Sequence, residues 1–178
     1  MEKRVIAVQE KKSMGISDLI LVAVLLAAGA VLKYFVGAFV NIGGMKPNFI
    51  IAMYCLAILL IKPRLYESAI IGLLAGAICQ LFPGTPYLNF ISELLGAVTM
   101  AVLLKLPLQT KKINLQPIVT AFFSTLVSGS MYVVCLFVFT RADISAMAAY
   151  VPIVFFTAVF NAVIVNVLYI PLRAALKK

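Results

Sequence analysis

Long blocks of apolar residues, broken by short clusters of turn residues and charges, organise this chain. A bilayer-crossing helix takes ~20 predominantly apolar residues, and six blocks approach that length: 19–40, 48–61, 67–82, 88–106, 118–140 and 147–170. The breaks carry the residues that end helices. They are Gly43-Gly44 with Pro47, Lys62-Pro63-Arg64, Pro83-Gly84-Thr85-Pro86, the stretch 109–117, and 141–145. No stretch is long enough for a soluble domain. The pattern predicts an all-α integral membrane protein, a compact bundle of six transmembrane helices forming a single domain over 1–178, with 1–17 as a cytoplasmic N-terminal segment. A basic start and small residues at Ala27–Ala30 raise the question of a cleaved signal peptide. The apolar run continues well beyond them, so retention as a first span is expected.

Composition strengthens this reading. Of the 178 residues, 64% are hydrophobic and 12% charged, and the mean hydropathy is +1.12. Soluble domains run at about 45–50% apolar and about 25% charged. The net charge of +9 is concentrated at one set of helix ends. Lys3, Arg4, Lys11 and Lys12 precede span one, and Lys62 and Arg64 follow span two. Lys105, Lys111 and Lys112 follow span four, while Arg173, Lys177 and Lys178 follow span six. The other side holds Lys46 and Arg141, with Lys33 inside span one. By the positive-inside rule both termini are cytoplasmic. The charge is then a topological signal with attraction to the lipid bilayer, and no nucleic-acid partner is expected.

Catalysis is disfavoured. There are no histidines, so His-based triads and His-ligated metals are excluded within the chain. Cys55, Cys79 and Cys135 are far apart in apolar runs and read as small buried residues. The six acids form no paired cluster suited to two-metal or paired-carboxylate chemistry. There is also no Walker A sequence. No cofactor, no metal and no enzymatic activity are expected. An internal repeat of the kind that builds larger secondary transporters is missing as well.

Several features stand out against a purely structural bundle. The second block has only 13 continuously apolar residues, ~20 Å of helix, and Asn41, Gly43, Gly44, Lys46, Pro47 and Asn48 precede it. Short or Gly/Pro-interrupted spans point to binding sites in transporters, although an ordinary surface loop with local bilayer thinning gives the same pattern. Glu93 is the single acid deep inside an apolar block, with Asn89 at i−4 on its face and Ser92 beside it. This patch is expected to face the interior, as a ligand site for an ammonium or amide, or as an internal partner of Lys33 or Lys46. Lys33 itself is read as snorkelling to the outer headgroups, and Lys46, fixed between glycines and a proline, as the preferred partner of an anionic group. Aromatics from Tyr34 to Phe156 cluster toward the external half, as an interface belt or pocket wall. Asn161 and Asn166 are expected to make interhelical hydrogen bonds. Small residues recur at i, i+4 in Ala23/Ala27, Gly72/Gly76 and Ala97/Ala101, a spacing that favours close helix packing.

Six short spans, cytoplasmic termini, an Ala-rich first span and the loop Gly43-Gly44-Met45-Lys46-Pro47 resemble the substrate-binding S components of energy-coupling factor (ECF) transporters, most closely the tryptophan-specific TrpP family. The resemblance implies a multi-pass protein of the bacterial plasma membrane that captures L-tryptophan outside with high affinity. It implies docking on a membrane coupling subunit, EcfT, bound to two ECF ATPases, and delivery by reorientation in the membrane. Ala23 and Ala27 would contact the coupling subunit. Gly43, Gly44, Lys46, Asn48, Asn89 and Glu93 would form the substrate region, with Lys46 and the glycine N–H groups near the carboxylate and Glu93 or Asn89 near the ammonium. An S component for a vitamin or precursor, or an accessory subunit without a ligand, remains open on the same residues.

Overall fold

The computed structural model describes residues 13–39, 48–85, 87–108 and 114–176. Six α-helices follow one another, α1 (Ile16–Phe39), α2 (Phe49–Ile61), α3 (Leu65–Cys79), α4 (Leu88–Leu103), α5 (Gln116–Thr140) and α6 (Val151–Ala175), with a 3-10 turn at Ile144–Tyr150 ahead of α6. The helix number and order match the block pattern; the lengths match only in part. Three helical stretches among the described residues are long and apolar enough to cross a bilayer: Ile16–Val36, Gln116–Thr140 and Ile144–Ala175. α2, α3 and α4 have 13, 15 and 16 residues.

The short α2 is the axis of the bundle. It packs against all five other helices, and every residue from Phe49 to Leu60 is buried. A helix apolar on all sides belongs in the interior, and FIIAMYCLAILLI has no polar face to offer. Its end is set by Lys62 in the left-handed region (φ 52°), whose N–H bonds to the carbonyl of Ile58, with Pro63 next.

The other helices form a ring in which α3 packs on α4, α4 on α5 and α5 on α6, while α1, among the described residues, leans on α2 and α3. The α3–α4 contact uses the Gly72/Gly76 pair. A Cβ at Gly72 would lie 2.7 Å from the Glu93 carbonyl oxygen and 2.8 Å from the Ala97 Cβ; one at Gly76 would lie 2.9 Å from the Asn89 carbonyl oxygen. Two glycines and Ala97 let the helix backbones touch, the mode of association expected where lipid supplies little hydrophobic drive between helices.

Polarity is arranged inside out. Serines, threonines, Glu93 and Asn161 are buried, while Leu19, Ile20 and Val24 of α1 and Phe156, Val163 and Ile170 of α6 point outward. That arrangement fits hydrocarbon around the bundle. At the end of the bundle carrying Lys62, Arg64, Lys105 and Arg173, two polar clasps join the elements. The buried Glu67 accepts hydrogen bonds from Ser13 Oγ (3.1 Å) and from the backbone N–H groups of Met14 (3.0 Å) and Arg64 (2.7 Å). Gln116 Nε2 donates to the Leu104 carbonyl at 3.1 Å.

Candidate functional site

The opposite end of the bundle holds a cavity of about 640 Å³. It is assembled where α2 and α4 begin, α3 ends, and α1, α5 and α6 pass by. Its floor is polar, with Asn48, Ser92, Glu93, Thr125 and Ser128. Its walls include Phe82, Tyr132, Val154 and, on α1, Lys33, Tyr34 and Phe35. Tyr34 and Phe35 are mostly exposed and stand at the rim.

Glu93 is the centre of the floor. Its residue is 1% exposed, and close α3–α4 packing fixes its backbone. One carboxylate oxygen, Oε1, accepts from Asn48 Nδ2 at 2.5 Å, and the other, Oε2, accepts from Ser128 Oγ at 3.0 Å. The Cys79 thiol lies 3.8 Å from Oε1. A carboxylate at this depth persists only with such partners. Asn48 is the residue at the N-terminal cap of α2, yet its side chain makes no capping bond. It is turned to Glu93 instead, and its own carbonyl accepts from Asn161 Nδ2 at 3.3 Å. Asn161 is fully buried and also reaches Thr125 Oγ1 at 3.4 Å. A polar chain therefore runs from α6 through α2 to α4 and α5.

Two buried polar atoms near this chain, Asn161 Oδ1 and the Tyr54 hydroxyl, have no hydrogen-bond partner among the described residues. The Tyr54 hydroxyl is wedged against Gly96, where a Cβ would collide with it. Ser124 beside it donates to the Gly96 carbonyl at 2.8 Å.

The sequence-predicted residues are distributed as follows. Asn48, Asn89, Ser92 and Glu93 come together on the cavity lining. Gly43, Gly44 and Lys46 lie outside the described residues. Ala23 and Ala27 are exposed on α1 among the described residues. Asn161 makes the interhelical bonds expected of it. Lys33 corrects the snorkelling reading. It is half-buried on the cavity wall, with Nζ 3.5 Å from Cys79 Sγ and 4.9 Å from the Phe82 ring centroid. Packing of α1 on α2 and α3 turns this face inward. Tyr132 belongs to the aromatic cluster read as a possible pocket wall, whereas Thr125 and Ser128 of α5 escaped the sequence reading, although Thr120, Ser124, Ser128 and Tyr132 recur every four positions on one helix face.

A bundle with an apolar exterior, three bilayer-length helices and a solute-sized, largely apolar cavity with a polar floor defines a multi-pass membrane protein of the transport class. The cavity volume falls in the ~300–1,000 Å³ range of small-molecule sites. The chain belongs to the TrpP family of ECF-type S components: the model of the family described as "Tryptophan transporter TrpP" matches residues 15–177. The chain is 27% identical over 169 residues to a "Probable tryptophan transport protein" of Clostridium acetobutylicum, covering 92% of this chain and 96% of that one. It is 26% identical over 168 residues to a protein of the same description from Bacillus subtilis, covering 93% and 95%. No solved structure matches the chain significantly. Membership makes this a bacterial plasma-membrane transport subunit of the ECF type, and not an enzyme.

Proposed function

We propose that the protein is the high-affinity L-tryptophan-binding subunit of an ECF uptake transporter. The observation that carries this reading is the cavity itself. It sets a buried carboxylate, Glu93, and the half-buried amides of Asn48 and Asn89 beside aromatic walls (Phe82, Tyr132), at the end of the bundle away from the basic loops. An aromatic amino acid needs an acceptor for its ammonium and a flat apolar slot for its ring. Glu93 and Asn89 serve the ammonium, and the loop carrying Gly43, Gly44 and Lys46 encloses the bound ligand. Both relatives are described as probable tryptophan transport proteins, which supports this substrate.

The whole chain forms one six-span domain with both termini in the cytoplasm, the short α2 at its centre and the short α3 and α4 packed against it. Substrate is captured outside and delivered by reorientation in the membrane. The energising module consists of the coupling subunit EcfT and two ATPases, and EcfT docks on the Ala23/Ala27 face of α1. The exposure of both alanines supports that assignment.

The chain contains no tryptophan, so an untagged, purified sample has no indole of its own. Denaturing ligand-free and as-purified samples and measuring the released small molecules by mass spectrometry should yield tryptophan near one per chain in the latter. Dialysis with labelled L-tryptophan should be saturable and resist competition by tyrosine and phenylalanine. A folded sample that releases and binds none would contradict the substrate, and a different released molecule would replace it.

A further inference from the structure

Lys33 differs from the other charged group of the cavity in how well its charge is satisfied. Glu93 has both oxygens engaged, by Asn48 and Ser128. The Lys33 ammonium rests on a thiol at 3.5 Å and an aromatic face at 4.9 Å. No carboxylate lies within ion-pair distance of it among the described residues. Thiols accept hydrogen bonds weakly, and a cation–π contact contributes only about 0.5–2 kcal/mol. The Glu93 carboxylate attracts this ammonium across Cys79 without touching it, and a half-buried ammonium with no direct ionic contact still gains from an anion placed against it. An incoming ammonium on Glu93, by contrast, must share or displace the bonds from Asn48 and Ser128.

The two charges flank one residue. Cys79 Sγ lies 3.5 Å from Lys33 Nζ and 3.8 Å from Glu93 Oε1. Opposite charges on either side of a single sulfur suit a ligand whose own opposite charges sit on one carbon, as in an α-amino acid. We propose that Lys33 is the anion-recognising residue of the cavity, and that the site selects ligands by their carboxylate ahead of their ammonium. The inference rests on the amino-acid reading for its ligand, and its test separates the two.

The full-length protein in detergent is assayed with matched acid and amide pairs: L-tryptophan and its amide, indole-3-propionate and its amide, nicotinate and nicotinamide. Affinity is read by dialysis and by shift in Tm. Wild type should prefer the acid of at least one pair by ~30-fold or more, the scale of losing a charged partner in a buried site. Lys33→Met keeps the apolar stem and should bring that ratio to within about threefold. Lys33→Arg, which keeps the charge in a different shape, should restore it to within about tenfold of wild type. Lys33→Gln stands in if the Met variant does not fold, Lys105→Met at the opposite end of the bundle is the control, and Lys46→Met tests the competing cation. A preference confined to the indole-3-propionate or nicotinate pair would remove tryptophan as substrate and leave the Lys33 assignment standing. Equal binding of acid and amide by wild type in every pair would overturn it. So would a preference that survives in the Met or Gln variant, or one that Lys46→Met abolishes instead.

Discussion

At the scale of single residues, Glu93 is the group on which the polar floor depends. Its two oxygens tie α4 to α2 through Asn48 and to α5 through Ser128, at the floor of the cavity. Glu93→Gln retains the shape and one acceptor while removing the charge that an ammonium needs. It should weaken L-tryptophan binding by about 10- to 100-fold, the scale of a charge-assisted hydrogen bond, with the elution profile on size-exclusion chromatography unchanged. Binding within about twofold of wild type would place the ammonium elsewhere. Glu93 was legible in the sequence because a lone acid in an apolar block has few reasons to exist. Lys33 was misread because rise per residue gives depth along a helix and not the direction a side chain faces. Its direction follows from how α1 leans on α2 and α3. The partnership of Asn48 with Glu93 spans 45 positions, and no local pattern signals it.

At the scale of elements, the site depends on how closely α4 approaches α3. Gly72 faces the Glu93 carbonyl oxygen and the Leu94 Cα, both backbone atoms that cannot swing aside. Gly72→Ala should therefore push α4 outward, costing about 1–3 kcal/mol as an overpacked contact, and weaken ligand binding together with Tm. Unchanged thermal stability in the ligand-free variant would show that the helices lie farther apart than described here. The Gly-xxx-Gly spacing was visible in the sequence, and so was the absence of any polar face on α2. The central position of α2 follows from that absence only when the number of surrounding helices is known. The 3-10 turn was hidden: the Ala-rich run at Ile144–Tyr150 (ISAMAAY) overlaps the break at 141–145 and the start of the sixth apolar block at 147. Its entry is set by Asp143, whose side chain accepts from the Ser145 N–H at 3.0 Å and whose carboxyl is thereby held below its usual range.

At the scale of the whole molecule, the two ends of the bundle have different chemistry. One end gathers basic residues and polar clasps around Glu67 and Gln116; the other opens into the cavity. The block pattern and the distribution of lysine and arginine anticipated this division, because both arise from the membrane rather than from detailed packing. The cavity walls depend on which faces of six helices meet, and only part of that set was readable. The proposed binding of an indole within this cavity has a direct optical test because the sequence contains no tryptophan. In a titration of the wild-type protein with L-tryptophan, excited at the red edge of indole absorption, a blue-shifted emission should appear and saturate at one ligand per chain. Emission that keeps the position of free tryptophan in water at every ratio would contradict it.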